Sequence, residues 1–349
     1  MLTFFVGSYT EWLLPDFGGT GHGIYSVQLD PRTGALSVLH QMATRNPSYL
    51  ALSEHQSYLY AVTELDQKDQ PQVKAFQIQE DDSLVFLNEQ PIKGSYPCHL
   101  TTHGRNVLVA CYMTGNVLQF PVKASGELLL GKNNFHHKGA SINVQRQEAA
   151  HAHQVTLHPN GVDVYVCDLG MDQLKAYQLH GTEISPNPTK DVSLSQGGGP
   201  RHLVFGANGQ LAYVMNELSG NVSVLKNQSG LFQEIKVYNT LPNDYKGPAS
   251  GSAIRLHPNG RFLYAANRKA EAISIFRVIG KTLKTIAHQY TQGAELREFN
   301  ITPDGHWLIA CHQNSHDTVV YQIREDGRLI EKYRTQEIKS PVCIAFKSA

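Results

Sequence analysis

A repeat with a period near fifty residues constrains this chain more than any other feature. SAIRLHPNGRFLYAANR (252–268) resembles HQVTLHPNGVDVYVCDL (153–169), RHLVFGANGQLAYVMNE (201–217) and REFNITPDGHWLIACHQ (297–313). SYLALSEHQSYLYAVTE (48–64) and CHLTTHGRNVLVACYM (98–113) are weaker copies, and PVCIAF (341–346) matches only the start of the unit. The residues just before the seven copies are Pro47, Pro97, Ala152, Pro200, Gly251, Leu296 and Pro341, at intervals of 50, 55, 48, 51, 45 and 45. A unit of this length cannot bury its apolar face alone, so the copies must pack on one another.

Each unit reads as strands. A short alternating run such as VTL or IRL meets a turn of the HPNG or TPDG type, and runs such as FLYAAN and AISIFRV follow. Asn-Gly and Asp-Gly supply the positive φ that tight hairpins need. No segment has a long 3.6-residue apolar period, so helix should be scarce. Four strands per unit, repeated about an axis, predict an all-β, seven-bladed β-propeller forming one domain over 1–349. The last unit has only its first strand. The N-terminal runs TFFVGSYT, GIYSVQLD and LSVLHQMAT would complete it, closing the ring and removing both free edges.

Thirty basic and thirty acidic residues give zero net charge, which argues against nucleic acid or another polyanion as a partner. The five cysteines, Cys98, Cys111, Cys167, Cys311 and Cys343, form no CxxC pair, so a reducing, cytoplasmic compartment is expected. The N-terminus lacks the pattern of a signal peptide, and no apolar run is long enough for a transmembrane helix. No membrane partner is therefore expected.

In a propeller the first strand of each blade lines the central channel, and its start shares one mouth with the end of the second strand. The first positions read Ser48, Cys98, His153, Arg201, Ser252, Arg297 and Val342. The second strands end at Glu64, Tyr112, Asp168, Glu217, Arg268 and His312, with Ser8-Tyr9 for the closing blade. The opposite rim repeats its turns, whereas this mouth collects His153, Arg201, Arg297, Glu217, Arg268, Asp168 and His312. Three arginines around a channel are costly without an anionic partner, and arginine suits a bidentate grip on carboxylate or phosphate. A small anionic ligand is expected; the competing possibility is that these charges only brace neighbouring blades.

Taken together, FVGSYT…GIYSVQLDPRTGAL (5–36), NPSYLALS (46–53), HHKGASINVQRQEAAHAHQVTLHPNG…VYVCDLGMDQLKAYQL (136–179), GGGPRHLVFGANGQLAYVMNE (197–217) and HPNGRFLYAANR (257–268) resemble the seven-bladed lactonase propellers. That family includes bacterial 6-phosphogluconolactonases and fungal 3-carboxy-cis,cis-muconate lactonizing enzymes. The resemblance implies a lactonase of carbohydrate metabolism, in the pentose phosphate pathway, acting on a small anionic lactone with no cofactor and no metal. By motif, the family's active-site histidine, glutamate and two arginines fall on His153, Glu217, Arg201 and Arg268. AAHAH departs from relatives that carry a proline before the first histidine.

Lactone opening needs a base for water and a stabilised oxyanion. His153 has the intrinsic pKa for the base, with Glu217 orienting it or serving as the complementary acid. Arg201 and Arg268 would hold the anion. Arg297, Arg146, Gln147, His151, Asp168 and His312 are candidate substrate contacts, the first of them from position alone. The same residues could run a cycloisomerase reaction, adding a carboxylate across a double bond. A metal at His151 and His153, completed by Asp168 or His312, is disfavoured by the nearby arginines. A non-enzymatic scaffold would not need such a cluster. His158 and His257 are expected to be turn or packing residues, and His136 and His137 loop decoration.

Overall fold

A computed structural model describes residues 1–15 and 17–347. Seven antiparallel sheets follow one another along the chain, six of four strands and one, the third, with a fifth short strand at Val192–Ser193. Their innermost strands are Leu50–Leu52, Pro97–His103, Ala152–Leu157, Pro200–Phe205, Gly251–Leu256, Leu296–Ile301 and Pro341–Phe346. Each touches the next, and Pro341–Phe346 touches Leu50–Leu52, so the ring is closed. These sheets are blades one to seven in that order. Blade seven joins the C-terminal strand to Leu2–Ser8, Gly23–Leu29 and Leu36–Ala43, with Phe4 opposite Phe346 and Val6 opposite Ile344. The seven-bladed architecture and its closing blade are as the repeat predicts.

Helix is confined, among the described residues, to two single 3₁₀ turns at Gln67–Asp69 and Pro188–Lys190. None is long and apolar enough to cross a membrane. Seven apolar clusters hold the ring together, each shared by two adjacent blades. In one, Leu108, Ala110 and Val117 of blade two pack on Val155, Val164 and Val166 of blade three. The alternation of the strands therefore faces neighbouring blades, burying both sides of each sheet. All five cysteines are buried and free.

Two features outside the repeat shape one mouth. A short hairpin pairs Trp12–Leu14 with Phe17–Gly18. A long insertion separates Asn133–His136, the outer strand of blade two, from Ala152–Leu157. On the opposite rim, His158 Nε2 lies 3.0 Å from the Gly209 carbonyl and His257 Nε2 lies 2.9 Å from that of Gly305. Each histidine fastens its blade to the turn of the next, the packing role its repetition predicts.

Candidate active site

One irregularity recurs at the mouth. Where the inner strand starts against the second strand, the pairing skips Cys98, His153, Arg201, Arg297 and Val342, and one residue of the Ser252–Ala253 pair. A β-bulge of this kind bends the strand and re-aims the extra side chain. In blade one the pairing starts only at Leu50; in the other six of the seven blades the column of first positions is therefore the column of bulges. That is how His153, Arg201 and Arg297 leave the sheet pattern and face the channel mouth.

Glu217 stands at the centre. Arg201 Nε donates to its Oε2 at 3.1 Å, Arg268 Nη2 reaches Oε2 at 3.0 Å, and Arg146 Nη2 donates to Oε1 at 2.7 Å. Arg201 and Arg268 are buried, whereas the Arg146 side chain is 45% exposed and arrives from the insertion. Arg146 also donates to the Tyr112 hydroxyl at 3.0 Å. Burial alone would raise the pKa of Glu217, but Arg268, Arg201 and Arg146 outweigh it and hold the carboxyl well below its usual range. The three guanidiniums thus favour Glu217 as an ionised counter-ion over its alternative role as a general acid.

The guanidiniums remain under-compensated. Arg201 is lowered to about 10 by burial, then by Arg268 and Arg297. Arg268 also lies 3.7 Å from Glu295 through Nε. Arg297 donates to the Tyr9 hydroxyl at 2.8 Å, and that hydroxyl donates to Glu64 at 2.7 Å. The Arg297 guanidinium also lies over the Tyr9 and Phe17 rings. Four guanidiniums thus face three carboxylates, Glu217, Glu64 and Glu295.

His153 sits beside this cluster, its ring 5.4 Å from that of His202 and 5.8 Å from that of Tyr112. Its Nδ1 is buried without a hydrogen-bond partner. Burial and then Arg201 push its pKa well below 6.5, while Glu217 opposes them. The ring is therefore neutral at pH 7, the form able to accept a proton. Arg201 Nη1 lies 3.0 Å from His202 Nε2, which must be the accepting nitrogen, so the His202 proton is on Nδ1.

Several expected contacts lie elsewhere. Asp168 is fully buried; Oδ1 accepts from the His151 and Met171 N–H groups, and Oδ2 lies 2.5 Å from His137 Nδ1. Gln147 braces the insertion by bonding the Leu169 carbonyl and the Asn143 N–H. His312 is buried between Thr291 and the Asp317 carbonyl. These three support the scaffold and present no free group to a ligand, which corrects their assignment as substrate contacts. His151 stacks on Tyr112, with its ring nitrogens on the Tyr112 carbonyl and Glu148, so it forms wall. His137, expected to decorate the loop, instead anchors it through Asp168 and Tyr177. Among the described residues no group of three His, Cys, Asp or Glu side chains could hold a metal.

Sequence reasoning passed over Tyr112, His202, Tyr9 and Glu64 as site residues. Tyr112, Tyr9 and Glu64 stand in the columns of second-strand ends; the two tyrosines carry no charge, and Glu64 is linked to Arg297 only through the Tyr9 hydroxyl. His202 follows Arg201 in GPRH and was hidden by its neighbour. Surface clefts beside His158 and beside His257 lie on the opposite rim among the repeated turns.

Known proteins share this architecture. The family model described as "Lactonase, 7-bladed beta-propeller" matches residues 3–346. A 6-phosphogluconolactonase of Bacillus subtilis is 34% identical over 351 residues, covering 98% of this chain and 97% of the relative. The structure of a periplasmic gluconolactonase of Pseudomonas aeruginosa superposes with a TM-score of 0.91 at 26% identity, covering 99% of both chains. A candidate 6-phosphogluconolactonase of Bacteroides fragilis has the same TM-score at 31% identity, covering 99% of this chain and 98% of its own. The chain belongs to the seven-bladed β-propeller lactonase family.

Proposed function

We propose that the mouth hydrolyses a sugar-derived lactone carrying an anionic group, with 6-phosphogluconolactone as the foremost substrate and 6-phosphogluconate as product. One observation carries this reading: Glu217 is shared by three guanidiniums, with a fourth on Arg297 nearby, so an anion completes the charge balance beside an imidazole with an unpartnered nitrogen. The names of the Bacillus and Bacteroides relatives point the same way.

In this mechanism Arg268, Arg297 and Arg146 hold the phosphate, and Arg201 faces the lactone carbonyl. His153 takes a proton from water as the water oxygen attacks the carbonyl carbon. The tetrahedral oxyanion forms against Arg201, a preorganised donor in a water-poor site. The ring C–O bond then breaks, and the departing alkoxide takes the proton back from His153. Glu217 stays ionised throughout, fixing the guanidiniums and stabilising the transient imidazolium. A cytoplasmic setting belongs to the proposal, supported by five cysteines free of disulfides.

The test is hydrolysis of 6-phosphogluconolactone, gluconolactone and 3-carboxymuconolactone by the pure protein and by His153→Ala. The phosphorylated lactone should be preferred, and loss of the base should lower kcat by about 10²–10⁴-fold. A wild-type rate in His153→Ala would remove the base from the mechanism. Preference for the carboxymuconolactone would favour cycloisomerase chemistry.

A further inference from the structure

In five blades the fourth residue past the second strand is left-handed: Gly115 (φ 55°), Asp172 (52°), Gly220 (62°), Glu271 (45°) and His316 (64°). Glycine suits this conformation, and two blades use it. The other three place a polar side chain there despite the strain, and each side chain reaches forward to the start of the next blade. Asp172 accepts from the N–H groups of Gly197 at 2.6 Å and Gly199 at 2.7 Å. Glu271 accepts from those of Glu295 at 2.5 Å and Leu296 at 3.2 Å. His316 Nδ1 accepts from Ser340 N–H at 3.0 Å.

Where these bonds land differs. Gly199 lies two residues before Arg201, and its carbonyl accepts the Glu217 N–H at 2.7 Å. Asp172 also accepts from Ser141 Oγ at 2.6 Å, on the insertion that delivers Arg146. One carboxylate thereby ties the supports of Arg201, Glu217 and Arg146 together. Leu296 directly precedes Arg297, and Glu295 is the second carboxylate near Arg268. The His316 bond leads to Val342, which brings no polar group to the mouth.

We infer that Asp172 and Glu271 are positioning residues for the anion-binding arginines, each setting from one blade where the next blade's guanidinium stands. This rests on the lactonase reading of the same mouth. Two neighbouring backbone N–H groups held by one carboxylate fix the direction of the strand just before its bulge, and the bulge aims the arginine. His316 is the comparison case: its strand carries no guanidinium, and it reaches the site only indirectly, through the Ser340 carbonyl that accepts the Tyr9 N–H at 3.1 Å.

The experiment compares Asp172→Asn, Glu271→Gln and His316→Ala in the full chain, measuring melting temperature, kcat and KM with 6-phosphogluconolactone and with gluconolactone. Asn and Gln keep one acceptor oxygen and lose the charge and the second. Both carboxylate variants should raise KM for the phosphorylated lactone about tenfold, as displacement of a binding group implies, with less than twofold change for the neutral one. His316→Ala should lower the melting temperature and raise KM for the phosphorylated lactone far less than the two carboxylate variants do. Equal KM changes in all three, or a melting loss without any KM change in the carboxylate variants, would overturn the proposal. If Asp172→Asn does not fold, Glu271→Gln decides by the same criteria. If the wild type hydrolyses neither lactone, the lactonase reading fails by itself. The dissociation constant of inorganic phosphate, measured by calorimetry, then tests the positioning role: weaker in the two carboxylate variants supports it, and unchanged refutes it.

Discussion

His153 and Glu217 carry the chemistry through charge states set by their neighbours. Burial and then Arg201 depress the basicity of His153, so an anion that neutralises the arginines should restore the part that Arg201 removes. The acid limb of kcat/KM, which reports the free enzyme, should therefore fall below pH 6.5. With the phosphorylated lactone the acid limb of kcat should sit higher, and with gluconolactone it should not move. Identical limbs for both substrates would sever this coupling. Glu217→Gln would leave three guanidiniums around a neutral group, two of them buried, a loss of about 3–5 kcal/mol by analogy with broken buried pairs. Denaturant unfolding of that variant should show it; unchanged stability would mean the arginines find other partners.

At the scale of elements, the bulge and the insertion make the site. The insertion is anchored by Asp168, through His137 and the His151 N–H, while its Arg146 stays largely open. Arg146→Ala should raise KM for the phosphorylated lactone and cost less stability than Glu217→Gln, because Arg201 and Arg268 still neutralise the buried carboxylate. A large melting loss would show instead that Arg146 holds the loop. These elements also mark how much the sequence reveals. The columns at 153, 201, 217 and 268 were legible because repeats put equivalent residues in one ring. Asp168, Gln147 and His312 stood in the same stretches, yet side-chain direction and partners sent them inward, and period alone carries no such information. Asp172 lies in the stretch DLGMD, but its partners Gly197 and Gly199 precede the following blade, and a local motif carries no sign of them.

For the whole molecule, folding keeps His99, His153 and His202 neutral, first through burial and then through the arginines. The unfolded chain takes up protons at these positions as pH falls through about 6.5 while the folded one does not, so stability declines there. Glu217, held low in the fold, adds a further loss as pH falls through and below its unfolded value of 4.5. Glu271, raised to about 7 by burial, and Glu298, also raised by burial, work the other way, but His312, His288 and His316 are lowered by burial as well and keep the histidines in the majority. The melting temperature should therefore be lower at pH 5 than at pH 7.5; a flat profile would mean that the histidines are not held neutral.

The central claim is that the ring assembles an anion-selective lactone mouth from separate blades. The ratio of kcat/KM for 6-phosphogluconolactone to that for gluconolactone, compared between the wild type and Arg268→Gln, tests it most directly. The ratio should fall about 100-fold in the variant, consistent with 2–5 kcal/mol for a desolvated charge contact. A ratio near one in the wild type, or one untouched by the substitution, would contradict the claim.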